Sequence, residues 1–200
     1  MNKSIIPIDS HYIPLTQQKY CCVPTCIQMV MLRHNIPLPP AELIGHHLGL
    51  IVDADSTKYF WNVSTGARPS SGYGTRISLP EYSLNSMFEK LNIPLKSTLQ
   101  LINNFTTLEE FRDYLSSVVA SDKDVLVCYD WPTLFDPKLI DHWGHVCVLD
   151  KVDVEKDEIR IIDPSPNSAK WVTVKISDMY RAMQVHGEKK SGGLWELSLP

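Results

Sequence analysis

At 200 residues, with 44% apolar and 21% charged side chains, the chain has ordinary globular composition and can bury roughly 70% of its unfolded surface. A formal net charge of −4 gives no electrostatic reason to expect nucleic acid or an anionic membrane as partner, and no run approaches the ~20 apolar residues that span a bilayer. Length and the absence of a linker-like composition shift predict one domain over 1–200, helical over about 12–120 and sheet-forming over about 121–200.

Residues 1–20 read as extended, because Pro7 and Pro14 block a long helix. The first residues carry one lysine and no apolar signal region, so synthesis in the cytoplasm is expected, with export by a signal-independent route left open. Pro24 to about His34 predicts a helix: Ile27, Val30, Met31 and His34 recur at helical spacing, and Pro24 suits a first turn, where a missing N–H costs nothing. Pro37, Pro39 and Pro40 break the chain, and Ala41–Leu48 forms a second short helix ended by Gly49. Residues 62–74 are rich in Gly, Ser and Pro and read as a long loop; over 64–74 it is a surface loop or a lid over a cleft. Asn85–Leu91 is a third helix. A fourth runs from Thr107 to about Val119, capped by Thr106 or Thr107, with Glu109 and Glu110 in its first turn and Leu108, Phe111, Leu115 and Val119 as its stripe.

After Ser121 the period changes. Val125–Tyr129, Val146–Val152, Ile159–Ile162, Trp171–Val174 and Leu194–Leu199 read as strands, with a short helix over Ser177–Met183. Helices first and strands last predict an α+β fold with a mostly antiparallel sheet.

Cysteines stand at 21, 22, 26, 128 and 147, an odd and irregular set that argues against a disulfide framework. Cys128 and Cys147 lie in strand-like runs and read as small buried hydrophobes. No second ligand pair at zinc-finger spacing follows Cys21–Cys26, so no metal is expected, and nothing implies a cofactor.

One constellation carries chemistry. Cys22 falls at or just before the first turn of the first helix, where aligned N–H groups favour a thiolate. A cysteine nucleophile also needs an imidazole from elsewhere, held by a third group. Of the seven histidines, His34 is at the wrong end of that helix, and His46 and His47 sit in a helix with no strand-borne carboxylate following. His145 is preferred over His142, because Gly144 before it allows close approach as a strand begins. Asp163 ends the next strand before Pro164, and antiparallel neighbours would bring it beside His145 to hold the imidazole. Gln17 or Gln18, with the Cys22 backbone N–H, are the candidates for stabilising an oxyanion. Cys21 remains the alternative nucleophile. The aromatics of 129–132 and 141–143 read equally as a cleft wall and as core-edge packing.

Gln17 (or Gln18), Cys22-Val23-Pro24-Thr25, Gly144-His145-Val146-Cys147-Val148 and Asp163-Pro164 resemble the papain-like cysteine peptidases, in particular the double-glycine leader peptidase (bacteriocin-processing) branch. The likeness follows the chain from residue 12 to its end and is strong at these segments alone. It departs where the family has Gly after the cysteine, here Val23, and where the glutamine stands six residues before it, here Thr16. Pro24 aligns with the family only if Cys22 is the nucleophile. The resemblance implies a papain-like fold and a thiol hydrolase that cleaves a peptide or small amide through a Cys22–His145–Asp163 triad and an acyl-enzyme, with Gln17 at the oxyanion. A papain-like acyl or peptidyl transferase and an inactive papain-like binding module are the alternatives. A peptide or small amide is the expected partner; oligomeric state is not readable.

Overall fold

The structure, a computed structural model, describes residues 7, 9–60 and 66–200. Helix α1 (Cys22–Arg33) begins two residues before Pro24, which therefore sits inside the first turn, where its missing N–H removes no helical hydrogen bond. Its residues are buried almost all round, from Val23 through Ile27 to Met31, as expected for a helix running through a core. Helix α2 (Ala41–His47) ends before Gly49, whose φ of +64° is the left-handed turn that glycine adopts freely. Helix α3 (Leu84–Lys90) is capped by the Ser83 hydroxyl, which accepts from the Ser86 N–H.

Helix α4 (Leu108–Ala120) opens on a capping box between Thr107 and Glu110. Its buried stripe is Phe111, Leu115 and Val118, and Val119 is 42% exposed, so the expected stripe is off by one at its end. Seven residues turn about 700°, within about 20° of two full turns, whereas an eighth carries Val119 about 80° past Phe111.

Six strands form one antiparallel sheet: β1 (Lys96–Leu101), β2 (Asp124–Asp130), β3 (Gly144–Asp153), β4 (Glu158–Ile162), β5 (Trp171–Lys175) and β6 (Gly193–Ser198), in the order β1-β6-β2-β3-β4-β5. A five-residue helix α5 (Trp131–Phe135) follows β2, and α6 (Ile176–His186) runs longer at both ends than the sequence pattern suggests. The architecture is α+β. Strand β1, however, lies among the helices and corrects the expectation of helices first and strands last. It is an edge strand, Lys-Ser-Thr-Leu-Gln-Leu, with no residue fully buried, so it carries no apolar signal.

Helices α1, α2 and α3 cover one face of the sheet against Leu126, Cys128, Val146, Val148, Ile162 and Trp195. Helices α4 and α6 cover the other against Val127, Tyr129, Cys147, Leu149, Ile159 and Ile161. Every residue of β2 is buried, which is why it reads as a continuous apolar run rather than an alternation. The N-terminal segment is tied down by the Tyr12 hydroxyl, which donates to Asp124 at 2.6 Å; Arg33 donates to the same carboxylate, and His34 Nε2 lies 2.6 Å from it. No helix among the described residues is long and apolar enough to cross a membrane.

The phase of α4 gives a stability test. Phe111→Ala should cost about 3–5 kcal/mol in urea unfolding. Val119→Ala should stay within about 0.5 kcal/mol, and a comparable loss there would overturn the assigned face.

Candidate active site

Cys22 is the first helical residue of α1 and is reached through a tight turn. The Cys21 N–H donates to the Gln18 carbonyl at 3.0 Å, and Tyr20 adopts φ +66°. A left-handed tyrosine costs on the order of 1–3 kcal/mol and needs outside support. Its hydroxyl donates to Asp53 Oδ2 at 2.8 Å, and its ring meets Tyr73 edge-on at 5.6 Å.

The turn sends adjacent thiols to different places. Cys21 is fully buried against Leu50, Val52 and Phe60, and burial pushes its thiol up to about 12. Cys22 is partly exposed, and its thiol is lowered. Desolvation opposes that shift; the hydrogen bond and charge of His145, with the backbone N–H groups of Val146 and Val23, outweigh it.

His145, second residue of β3, is 8% exposed. Its Nε2 lies 2.8 Å from Asp163 Oδ1, which leaves Nδ1 as the nitrogen for Cys22. Asp163 stands one residue past β4 and is 1% exposed. Continuing the Val148–Ile162 register one step places it across from Cys147 and diagonal to His145. Oδ1 also accepts from the Ser165 N–H at 2.8 Å, and the Ser168 side chain supports the carboxylate. Burial works against charge on both groups, yet His145 is held well above its ordinary range and Asp163 below its own. Cys147, Asp163 and Cys22 favour the imidazolium, and the imidazolium favours the carboxylate. The arrangement favours a thiolate–imidazolium pair backed by a carboxylate.

Cys147 is buried, as the sequence suggests, but it is also a neighbour of this chemistry. Its sulfur, a His145 nitrogen and an Asp163 oxygen all lie within 4.8 Å of one another, and the Tyr129 hydroxyl is 3.2 Å from the sulfur. The signal was the two-residue spacing from His145, which puts both side chains on one face of a strand. These three donors are the group among the described residues with the right spacing for a metal ion.

The glutamines separate. The Gln17 N–H donates to the Pro164 carbonyl at 2.8 Å, beside Asp163, and its side-chain Oε1 is buried without a hydrogen-bond partner. Gln18 is exposed and donates to Glu42 at 2.7 Å. His142 is drawn off to Asp130, 3.0 Å away. Gly144 is required by a different neighbour from the expected one: a Cβ there would overlap the His186 ring. Trp131 stacks on Trp143 at 5.5 Å, and the Trp131 N–H donates to the Trp143 carbonyl, just before β3. Residues 62–65 of the Gly/Ser-rich loop lie outside the described residues. Residues 70–74 are bridged to Ile51 and Val52, through Val52 N–H to the Ser70 carbonyl, Gly72 N–H to the Val52 carbonyl and Ile51 N–H to the Gly74 carbonyl.

The sequence matches no protein-family model and no curated protein. A crystal structure of a proposed C39-like peptidase from Bacillus anthracis superposes with a TM-score of 0.52 at 17% identity, covering 99% of this chain and 96% of that one. At that identity the likeness establishes the fold: helices and a six-stranded antiparallel sheet arranged as in a papain-like, C39-like peptidase.

A labelling experiment reads the electrostatics directly. Iodoacetamide at pH 6 should modify Cys22 ahead of Cys21, Cys26, Cys128 and Cys147, with the site located by peptide mass spectrometry. His145→Ala should remove the preference. Equal labelling of Cys21 and Cys22 would contradict the environments described.

Proposed function

We propose that the protein is a thiol hydrolase that cleaves a peptide bond through an acyl-enzyme on Cys22. The observation that carries the reading is one imidazole held 2.8 Å from the buried Asp163 carboxylate, with the Cys22 thiol lowered by that same imidazole. The thiolate attacks the carbonyl carbon, and His145 gives its proton to the departing amine. His145 then takes a proton from water as the thioester is hydrolysed. Asp163 fixes the ring so that Nδ1 faces the sulfur, and it stabilises the imidazolium without taking the proton.

The developing oxyanion needs donors placed in advance. The Cys22 N–H, at a helix start, is one candidate, and the Gln17 carboxamide is the other. Gln17 is favoured over Gln18 because its backbone is tied to Pro164, beside Asp163, and its carboxamide is not engaged through the buried Oε1, whereas the Gln18 Nε2 donor is already given to Glu42. Cys22 is favoured over Cys21 because burial keeps the Cys21 thiol protonated. A peptide substrate fits the fold likeness to a proposed C39-like peptidase. Within that class we favour the double-glycine leader peptidase branch, on the Gln, Cys-x-Pro, Gly-His and Asp-Pro segments in their order.

A complex peptide mixture, with new termini read by mass spectrometry, gives an assay that does not require a defined substrate. Cys22→Ala and His145→Ala should abolish cleavage, and Cys21→Ala should retain it. Unchanged cleavage by Cys22→Ala would sink the mechanism. Gln17→Ala should lower kcat by about 10²-fold, with Gln18→Ala within a few-fold of wild type. The pH profile of kcat/KM should be a bell. Its acid limb reports loss of the thiolate and lies below the ordinary thiol value of 9.0; its alkaline limb reports loss of the imidazolium and lies above 6.5. Both limbs belong to the coupled pair rather than to either residue.

A further inference from the structure

We propose that the cavity between α2, the segment 66–76 and Tyr82 is a binding site for a carboxylate carried on a short apolar stem, with Arg76 as its anchor. The cavity measures about 260 Å³, room for one side-chain-sized acid rather than a length of polypeptide. Arg68, Arg76 and Lys90 line it with His46 and His47, against a single acid, Glu42. That acid is outnumbered, and its Oε1 is turned to the Gln18 side chain, from which it accepts at 2.7 Å. Burial and the neighbouring His46 and Lys90 depress His47.

Arg76 is held in place. Its backbone N–H donates to the Leu48 carbonyl at 3.0 Å and its Nε to the Gly49 carbonyl at 3.1 Å, while the guanidinium lies 4.3 Å over the Tyr82 ring. Gly49 makes this packing possible: a Cβ there would sit 2.7 Å from the Tyr82 ring and 2.9 Å from Arg76 Nε. With Nε and one ring face engaged, the two Nη groups remain as a fork with no partner among the described residues, the geometry that grips a carboxylate through two parallel hydrogen bonds. Leu50 and Phe60 supply an apolar wall, which suits an acid on a hydrocarbon stem over a bare inorganic ion.

Two sources share this chemistry: an acidic side chain of a peptide substrate, and a free small carboxylic acid. The cavity lies one layer of side chains from the candidate active site, since Leu50 and Phe60 also pack on Cys21. The substrate source rests on the peptidase reading; the carboxylate site does not.

Isothermal titration of the full chain with glutarate should show binding, and the neutral diamide glutaramide should show none. Arg76→Ala should weaken glutarate by about tenfold or more, the loss of one charge-assisted contact. Arg76→Lys, which keeps the charge and loses the fork, should fall between the two, and circular dichroism checks that each variant is folded. Lys189→Ala, an exposed residue elsewhere, should bind as wild type does. Absence of glutarate binding by wild type, or unchanged affinity in folded Arg76→Ala and Arg76→Lys, overturns the proposal. Peptide pairs differing by Glu against Gln then separate the sources. A Glu preference lost in Arg76→Ala identifies a substrate side chain, and glutarate binding without such a preference identifies a free acid. If no peptide is cleaved at all, the titration still decides the carboxylate site.

Discussion

The position of Cys22 relative to His145 is set by Val146, the residue between them in space. Its backbone N–H is among the groups that lower the Cys22 thiol, and its carbonyl accepts from the Cys26 thiol at 3.3 Å. Cys22 and Cys26 are one helical turn apart, so α1 meets β3 at both backbone polar groups of one residue. Helix α1 cannot slide along β3 or rotate without breaking both contacts, and a buried carbonyl left unpaired costs about 1–3 kcal/mol. Because Val146 follows His145 directly, the grip that docks helix on sheet also sets the distance from sulfur to imidazole. Cys26 can serve as donor because burial holds its thiol well above the ordinary range and therefore protonated.

The same low-dielectric surroundings act on all five thiols, and four respond as burial dictates. Cys21, Cys26, Cys128 and Cys147 are all raised. Cys22 alone is lowered; it shares the His145 partner with Cys147, and what distinguishes it is the addition of two backbone N–H groups, those of Val146 and Val23. Desolvation penalises the isolated charge but also strengthens its attraction to a nearby opposite charge. Asp163 contributes to that compensation through its hydrogen bond to His145, alongside the two neighbouring sulfurs.

Much of this was legible in the sequence, for reasons specific to each element. Strands β2, β3 and β4 bury both faces and so read as apolar runs; Asp163 reads as a strand end because Pro164 forces extended backbone. What escaped was of two kinds. Strand β1 is held at the sheet edge by backbone pairing with β6, and its side chains do not record that pairing. The other kind is a distinction between neighbours of equal chemistry. Val118 and Val119 differ by helical phase alone. Cys21 and Cys22 differ by a turn at Tyr20, and Gln17 and Gln18 by which one meets Pro164. Gly144 was singled out for the space it leaves, but the group that fills that space, His186, comes from a helix 42 residues later, a juxtaposition made by the fold.

The turn at Tyr20 bears on the glutamine that stands five residues before Cys22 rather than six. One residue fewer demands a tighter reversal if Gln17 is to lie beside Pro164 while Cys22 starts a helix. The left-handed Tyr20 and the Gln18–Cys21 hydrogen bond provide that reversal. The strain is held from outside the turn, by the Tyr20 hydroxyl and the Lys19 ammonium, at 2.8 and 2.9 Å from Asp53 Oδ2. Asp53 follows Val52, which packs on Cys21 and bridges to Ser71. The segment presenting Gln17 and Cys22 is thus braced by the stretch of chain that also walls the Arg76 cavity.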